Sequence, residues 1–472
     1  MIKTESVKKN FIYNALYQLL AILLPLITTP YISRVLGAEG IGIYSYSYSV
    51  SKYFVIFAML GLNNYGNRTI AAVRDDKEKL SRTFWSIYYM QLITACLAIA
   101  VYSIYVFAFN SSAVSYIMFL YVLTSLFDIN WFFFGIEQFK LTVTRNTLIK
   151  LGSVACIFLF VKKSSDVYIY CIILAGCLLL SQLALWPFLK RYVEFVKPCF
   201  KEIRFHFKSN IILFIPVLAV SLYKTMDKIM LGNMSSKVEV GFYENSERII
   251  DIPIALIQSL GTVMLPKMSN LMANNKKDEG NRYIRASLVF VVFLASSLSF
   301  GIMAVSPEFV PWFYGNGFDA CIVLFMILAP STIFMAIANV VRTQYLIPMH
   351  EDKIYIVSVF LGALTNIILN AIFIPVYNAA GAAIGTLCAE AVVCIYQMIK
   401  IWKEIDIKGT IFKSIPFIIA GIIMCLMLLS FNLNVQSALL AVLLKVVLGA
   451  LIYVLIIGMY AVLLKKLNKK LF

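Results

Sequence analysis

A chain of 472 residues that is 61% hydrophobic, only 14% charged and has a mean hydropathy of +0.85 carries far more apolar surface than one water-soluble core needs. That excludes a soluble globular protein and points to an integral membrane protein. The formal net charge of +17 must then be explained by where the lysines and arginines fall.

The apolar runs have the length of about 20 residues that a helix needs to cross a hydrocarbon core of about 30 Å, well above the roughly 10 residues of a barrel strand. An all-α membrane fold is expected. Fourteen spans are predicted, at 10–33, 41–62, 84–109, 113–135, 146–161, 167–189, 209–231, 240–265, 286–306, 319–341, 354–375, 380–402, 411–430 and 437–463. Lys3, Lys8 and Lys9 precede a run containing Pro25 and Pro30, which reads as a retained first span rather than a cleaved signal.

The basic residues test this layout. If both termini are cytoplasmic, the connections after even-numbered spans should hold most of the 41 Lys and Arg. They do: Arg68 to Arg82, Lys140 and Arg145, Lys190 to Lys208, Lys267 to Arg285, Lys353, Lys400 to Lys413 and Lys465 onward all fall on the inner side, while Lys162, Lys163 and Lys237 fall outside. The charge is therefore a topology signal and no nucleic-acid partner is inferred. Arg34, Lys52, Lys150, Lys224, Lys228, Arg248, Arg342 and Lys445 remain inside or at the ends of spans. A cation at mid-membrane costs about 2.5–3.5 kcal/mol on insertion scales, so these are expected to face a wet interior.

In "GIYSYSYSVSKYFVIF" (42–57) the Tyr/Ser alternation mimics a strand, but the segment lies within an apolar block. Wound as a helix, it places Tyr44, Ser45, Tyr48, Ser49 and Lys52 on one face, and Tyr46, Val50, Tyr53, Phe54 and Phe57 on the other. Hydroxyls, rings and one cation suit a phosphorylated or glycosylated ligand. The alternative is a snorkelling Lys52 with interfacial tyrosines. In "VSLYKTMDKIMLG", Lys224, Asp227 and Lys228 share a face at i, i+3 and i+4, so Asp227 is expected to pair with either lysine and leave the face net positive; an ion pair locking two helices is the competing reading.

"RVLGAEGIGIY" (34–44) and "IMLGNMSSKVEVGFY" (229–243) each read as Leu-Gly, a short outer turn, then Gly-x-Tyr entering the next span. Their placement implies two six-helix repeats of like orientation, 1–200 for spans 1–6 and 201–404 for spans 7–12, with spans 13 and 14 added over 405–472.

"NFIYNALYQLLAILLPLITTPYISRVLGAEGIGIYSYS" at the start and "DINWFFFGIEQFKLTVTRN" at 128–146 resemble the Wzx-type polysaccharide repeat-unit flippases of the multidrug/oligosaccharidyl-lipid/polysaccharide exporter superfamily. The motif-level match is best in the first 150 residues. The resemblance implies a V-shaped, pseudo-twofold pair of six-helix lobes in the bacterial cytoplasmic membrane. It further implies that undecaprenyl-pyrophosphate-linked oligosaccharide moves from the inner to the outer leaflet by alternating access through a cationic cavity, for capsule or O-antigen assembly, beside a polysaccharide polymerase and a chain-length regulator. Arg34, Lys52, Lys224, Lys228 and Arg248 fall on the spans that line that cavity in relatives, with Arg342 and Lys150 as further candidates; Tyr44, Tyr48 and Tyr223 could meet the sugars.

Acids within spans are the candidates for coupling to H+ or Na+: Asp128, Asp227, Glu247, Asp251 and Glu390, with helix packing as the competing role for Asp128. No cofactor is implied. No glycine loop of the Walker type occurs, and predicted connections of at most about 20 residues leave no room for a soluble catalytic domain. His206 and His350 lie in inner connections, each without a second ligand nearby, and read as solvated or capping. The nine cysteines read as free, apolar-like thiols. Two rivals stand: a cation-coupled multidrug exporter, which would need an anionic cavity, and a membrane glycan polymerase or ligase, which would need a larger outer loop than "VSPEFVPWFYGNGF" at 305–318.

Overall fold

A computed structural model describes residues 7–431, 435 and 437–466, without the side chains of 7–19, 21, 22, 212, 216, 223 and 463–466. The expectations placed on Lys3, on the side chains of Lys8, Lys9 and Tyr223, and on the basic residues from Lys465 onward lie outside the described residues. Among the described residues the chain is helical throughout, with no strand. In chain order the helices are α1 (Val7–Met59), α2 (Leu62–Val73), α3 (Lys77–Phe109), α4 (Ala113–Ile117), α5 (Phe119–Phe127), α6 (Asn130–Gly135), α7 (Phe139–Phe160), α8 (Val167–Leu183), α9 (Trp186–Leu189) and α10 (Phe200–Met234). They continue with α11 (Lys237–Ala273), α12 (Lys277–Tyr314), α13 (Ala320–Leu328), α14 (Ser331–Val341), α15 (Asp352–Tyr377), α16 (Ala379–Ile401), α17 (Ile407–Ser430) and α18 (Ala438–Lys466).

Each predicted span overlaps helix, though those at 113–135, 167–189 and 319–341 are interrupted. Among the described residues eleven helical stretches are long and apolar enough to cross a membrane, or twelve if Phe200–Ile211 and Leu213–Leu222, which meet at 45°, form one bent span. The first two predicted spans share α1. The outer turn expected over 34–41 is reduced to a single non-helical residue, Gly37 (φ 68°, ψ −179°), a conformation that glycine reaches without a Cβ penalty. In the second copy of that pattern the longer turn does break the chain, between Met234 and Lys237, and Lys237 Nζ closes it on the Gly232 carbonyl at 2.8 Å. The outer connection expected at 305–318 is also mostly helix, because α12 runs through Pro307 and Pro311 to Tyr314. Its rings pack on one another, Phe309 against Phe313 at 4.8 Å, while Tyr314 Oη donates to the Asn245 carbonyl at 2.7 Å.

Large apolar side chains cover the outer faces of the bundles: Leu97, Ile104 and Phe107 on α3, Ile368, Ile372 and Val376 on α15, and Leu451, Val454 and Leu455 on α18 are all exposed. Bands of this kind suit lipid and not water.

The chain divides into two compact units, Met1–Thr225 and Met226–Phe472, the division falling inside α10. The core of the first unit is aromatic. Trp131, Phe132 and Phe133 of the DINWFFFG segment are fully buried with Phe84, Tyr65 and Leu62. In the second unit α15 and α16 pack tightly because α16 presents Gly381 and Gly385 to α15; a Cβ on Gly381 would stand 2.3 Å from the Phe373 carbonyl oxygen, and one on Gly385 would stand 2.1 Å from Asn370 Oδ1.

Candidate functional site

In the first unit, Ser45 and Ser49 are buried, while Tyr44, Tyr48 and Lys52 are partly exposed. Tyr46 of the other face is buried as well, so both faces of 42–57 meet neighbouring helices. Tyr44 stacks on Tyr48 (5.7 Å between ring centres) and meets Tyr170 of α8 edge-on at 5.1 Å; Tyr48 lies 4.8 Å from Tyr121 of α5. The expected amphipathic helix is present, but much of its hydroxyl stripe is spent on helix packing. On the other face Tyr53 Oη donates to the Ser221 carbonyl at 3.1 Å, and Phe57 is exposed. Arg34 is exposed near the Gly37 kink, its Nη1 donating to the Pro30 carbonyl at 3.1 Å. Lys150 lies partly exposed on α7, and Lys224 is exposed on α10.

Asp128 lies where the fourth predicted span breaks. Its Oδ1 accepts from the Asn130 amide N–H (2.9 Å) and from Asn130 Nδ2 (2.7 Å), which starts α6. Carbonyls freed by the break are capped: Gln91 Nε2 donates to those of Ser125 and Asp128 at 2.7 and 2.9 Å, and Trp186 Nε1 to that of Phe127 at 3.0 Å. These are contacts of the helix-packing kind that competed with ion coupling for Asp128. Behind it sits Arg145, expected in an inner connection but in fact buried within α7. It donates to the Ser181 carbonyl (2.5 Å), Asn130 Oδ1 (2.8 Å) and Asn146 Oδ1 (2.6 Å). Position in a charge count could not distinguish a topology-setting arginine from one committed to a polar network. His206 departs from its reading too: it is buried, with Nδ1 2.7 Å from Tyr65 Oη.

Among the described residues no ion pair joins Asp227 to Lys224 or Lys228 within α10. Asp227 is 2% exposed, and its carboxylate accepts from Asn370 Nδ2 of α15 at 2.6 Å, Tyr243 Oη of α11 at 2.8 Å and Thr386 Oγ1 of α16 at 2.8 Å. Residues i and i+3 share a face, but three donors from neighbouring helices outcompete a flexible lysine on the same helix. Around this carboxylate, Asn370 Nδ2 also reaches Asn366 Oδ1 (3.2 Å), Thr386 Oγ1 reaches the Ala382 carbonyl (3.1 Å), and Asn370 Oδ1 is buried with no hydrogen-bond partner. The result is an oxygen-rich pocket around one acid.

Lys228 points elsewhere. Its Nζ lies 2.6 Å from Glu244 Oε2 and 2.6 Å from Glu247 Oε2, and Arg248 Nε holds the other oxygen of Glu244 at 2.7 Å. The expectation of a net positive face on α10 is therefore corrected at Lys228: desolvating an ammonium between helices requires counter-charge, and α11 supplies it. Lys445 is likewise 2.6 Å from Glu308 Oε1. Glu247 belongs to this cluster, Asp251 is exposed one turn further along α11, and Glu390 is buried on α16. Arg342 opens a π-helical turn, Arg342–Leu346, with its guanidinium 5.5 Å from the Tyr355 ring centre.

Sequence reasoning missed Glu244, Tyr243, Asn370 and Thr386. Signals existed: Glu244 stands four residues before Arg248, and Asn366 and Asn370 are an i, i+4 amide pair in an otherwise apolar span.

The chain is 25% identical over 394 residues to the "Putative O-antigen transporter" of Escherichia coli K12, a match covering 82% of this chain and 95% of that protein. The inward closed conformation of the lipid II flippase MurJ superposes with a TM-score of 0.77 at 14% identity, covering 97% of this chain and all of that one. An inward-facing multidrug transporter of the MATE family aligns with a TM-score of 0.60 at 14% identity, covering 81% and 98%. Both structural likenesses show a shared fold. The model of the polysaccharide biosynthesis protein family matches residues 7–272, more than half of the chain, so the chain belongs to that family, and its resemblance to Wzx-type flippases holds.

Proposed function

We propose that the protein is a flippase that moves undecaprenyl-pyrophosphate-linked oligosaccharide repeat units from the inner to the outer leaflet of the bacterial cytoplasmic membrane, by alternating access of two six-helix lobes with two added C-terminal helices. The observation that carries the reading is membership of the polysaccharide biosynthesis protein family together with near full-length similarity to the Escherichia coli protein named as an O-antigen transporter. A diphosphate cannot cross hydrocarbon unaided, and intramembrane cations can replace its hydration while the polyprenyl tail stays in lipid. Arg34, Lys52, Lys150, Lys224 and Arg342 are assigned to the diphosphate. Tyr44 and Tyr48, whose rings are partly exposed, together with Tyr223, are assigned to the sugars. Lys228 and Arg248 are paired with Glu244 and Glu247 and would have to release those carboxylates before taking an anion.

Among the acids, coupling is assigned to Asp227. It is a buried carboxylate held by neutral donors and surrounded by amide, hydroxyl and carbonyl oxygens, which fits either a proton or Na+. The fold is shared with multidrug transporters, so the fold itself does not choose between cargoes. Deletion of the gene should leave lipid-linked repeat units on the inner leaflet and be rescued by the parent. Rescue by a combined Lys52→Ala, Lys150→Ala, Lys224→Ala variant would refute the diphosphate assignment.

A further inference from the structure

Between the end of α9 and the straight apolar part of α10 lies "KRYVEFVKPCFKEIRFHFK" (190–208), a segment given no part in transport. Its helical portion, Phe200–Ile211, bends by 45° from Leu213–Leu222. One face is fixed to the first unit. His206 is buried against Tyr65 Oη of α2, Ile203 packs on the aromatic core, and Glu202 accepts from Arg82 Nε at 2.6 Å and Ser86 Oγ at 3.1 Å on α3.

At 100° per residue the opposite arc carries Phe207, Phe200, Arg204, Lys208, Lys201 and Phe205 in angular order, all exposed; Phe200 is 74% exposed and Phe205 65%. The three cations thus form a stripe with phenylalanines on both sides. The local acids are already engaged, Glu202 with Arg82 and Glu194 with Lys77 at 2.5 Å, and no ion pair to Lys201, Arg204 or Lys208 is present among the described residues. Exposed aromatics are a poor match for water and a good one for the headgroup boundary. An uncompensated basic stripe between them matches phosphate.

We propose that this arc is a membrane-surface anchor that binds anionic phospholipid headgroups through Lys201, Arg204 and Lys208, with Phe200, Phe205 and Phe207 seated among the upper acyl carbons. The anchor fixes the end of α10 whose far part carries Lys224, Asp227 and Lys228. It recognises bulk anionic lipid and not the transported glycan, so it stands whatever the cargo is.

The test uses the full-length protein in lipid nanodiscs, with Phe205→Trp as a reporter read as a difference from the parent. Phosphatidylglycerol brominated near the top of its acyl chains should quench the added tryptophan more strongly than phosphatidylcholine brominated at the same carbons. A Lys201→Gln, Arg204→Gln, Lys208→Gln background should lower the phosphatidylglycerol preference by about fivefold for each charge removed. Phe207→Trp serves as the second reporter, and gel filtration checks folding of each variant. Equal quenching by the two lipids would overturn the anionic preference. No quenching by either would show that a protein surface covers the arc, and would overturn the anchor altogether.

Discussion

Two substitutions at Asp227 separate what its carboxylate does for the fold from what it does for transport. Asp227→Ala removes the acceptor for three buried donors, Tyr243 Oη, Thr386 Oγ1 and Asn370 Nδ2, at 2.6–2.8 Å. Tyr243 can then donate to Thr386 across 2.8 Å and Thr386 to the Ala382 carbonyl at 3.1 Å, which leaves chiefly one Asn370 N–H unsatisfied, so a net loss of about 1–3 kcal/mol is expected. Asp227→Asn is nearly isosteric. Its amide oxygen can keep the two hydroxyl bonds, and its new NH2 can meet Asn370 Oδ1, an acceptor now without a partner, if the Asn370 amide flips. The expected loss is about 1 kcal/mol or less. Thermal unfolding of detergent-purified variants reads the first quantity, and rescue of glycan export in a flippase-deficient strain reads the second. Asp227→Ala should unfold several degrees early and fail to export; Asp227→Asn should melt close to the parent and still fail, because an amide neither binds a proton near neutral pH nor neutralises a cation. Export at the parental rate by the asparagine variant would refute the coupling role, and an unshifted melting point for the alanine variant would refute the hydrogen-bond geometry.

Further outcomes follow from the same contacts. Glu244→Ala should destabilise the second unit by less than the roughly 3–5 kcal/mol of a fully orphaned buried charge, since Lys228 keeps Glu247 at 2.6 Å; a thermal melt checks it, and Lys228→Met, which takes the shared ammonium from both carboxylates, should cost more. Gly385→Ala should abolish export with little change in membrane insertion, measured by immunoblot, because its methyl would push Asn370 off Asp227. Asp76, which caps α3 outside the membrane, has its carboxyl held below the ordinary carboxylate value by the Lys79 backbone amide and then by the Lys79 side chain. Its contribution is therefore complete above that ordinary value and fades as pH falls through the lowered one; parent and Asp76→Asn should differ in melting temperature at neutral pH and converge in acid.

What could be read from the residues follows what composition controls. Span positions were legible because hydrophobic length is a one-dimensional property, whereas the close approach that Gly381 and Gly385 of α16 allow was not read from the sequence. Partners across helices were not legible. Spacing correctly put Asp227 and Lys228 on neighbouring positions of one helix, yet α11, α15 and α16 decide that the acid takes neutral donors while the lysine takes acids. The turn at Gly37 and the aromatic stretch to Tyr314 misread as loops for the opposite reason, since glycine and proline mark breaks in water more reliably than in a bilayer, where neighbouring helices satisfy the backbone. Arg145 shows the limit of charge counting: the same residue type sets topology at a membrane surface and organises a buried network six residues into α7.

Transbilayer movement of the glycan lipid is the most direct test of the account. Inverted membrane vesicles carrying lipid-linked repeat units on their outward, cytoplasmic face are treated with an impermeant glycosidase after incubation with an ion gradient. With the parent protein the fraction of repeat units protected from the enzyme should rise with time, and with Asp227→Asn it should stay at the level of protein-free vesicles. A protected fraction that is the same with and without the parent protein would contradict the account.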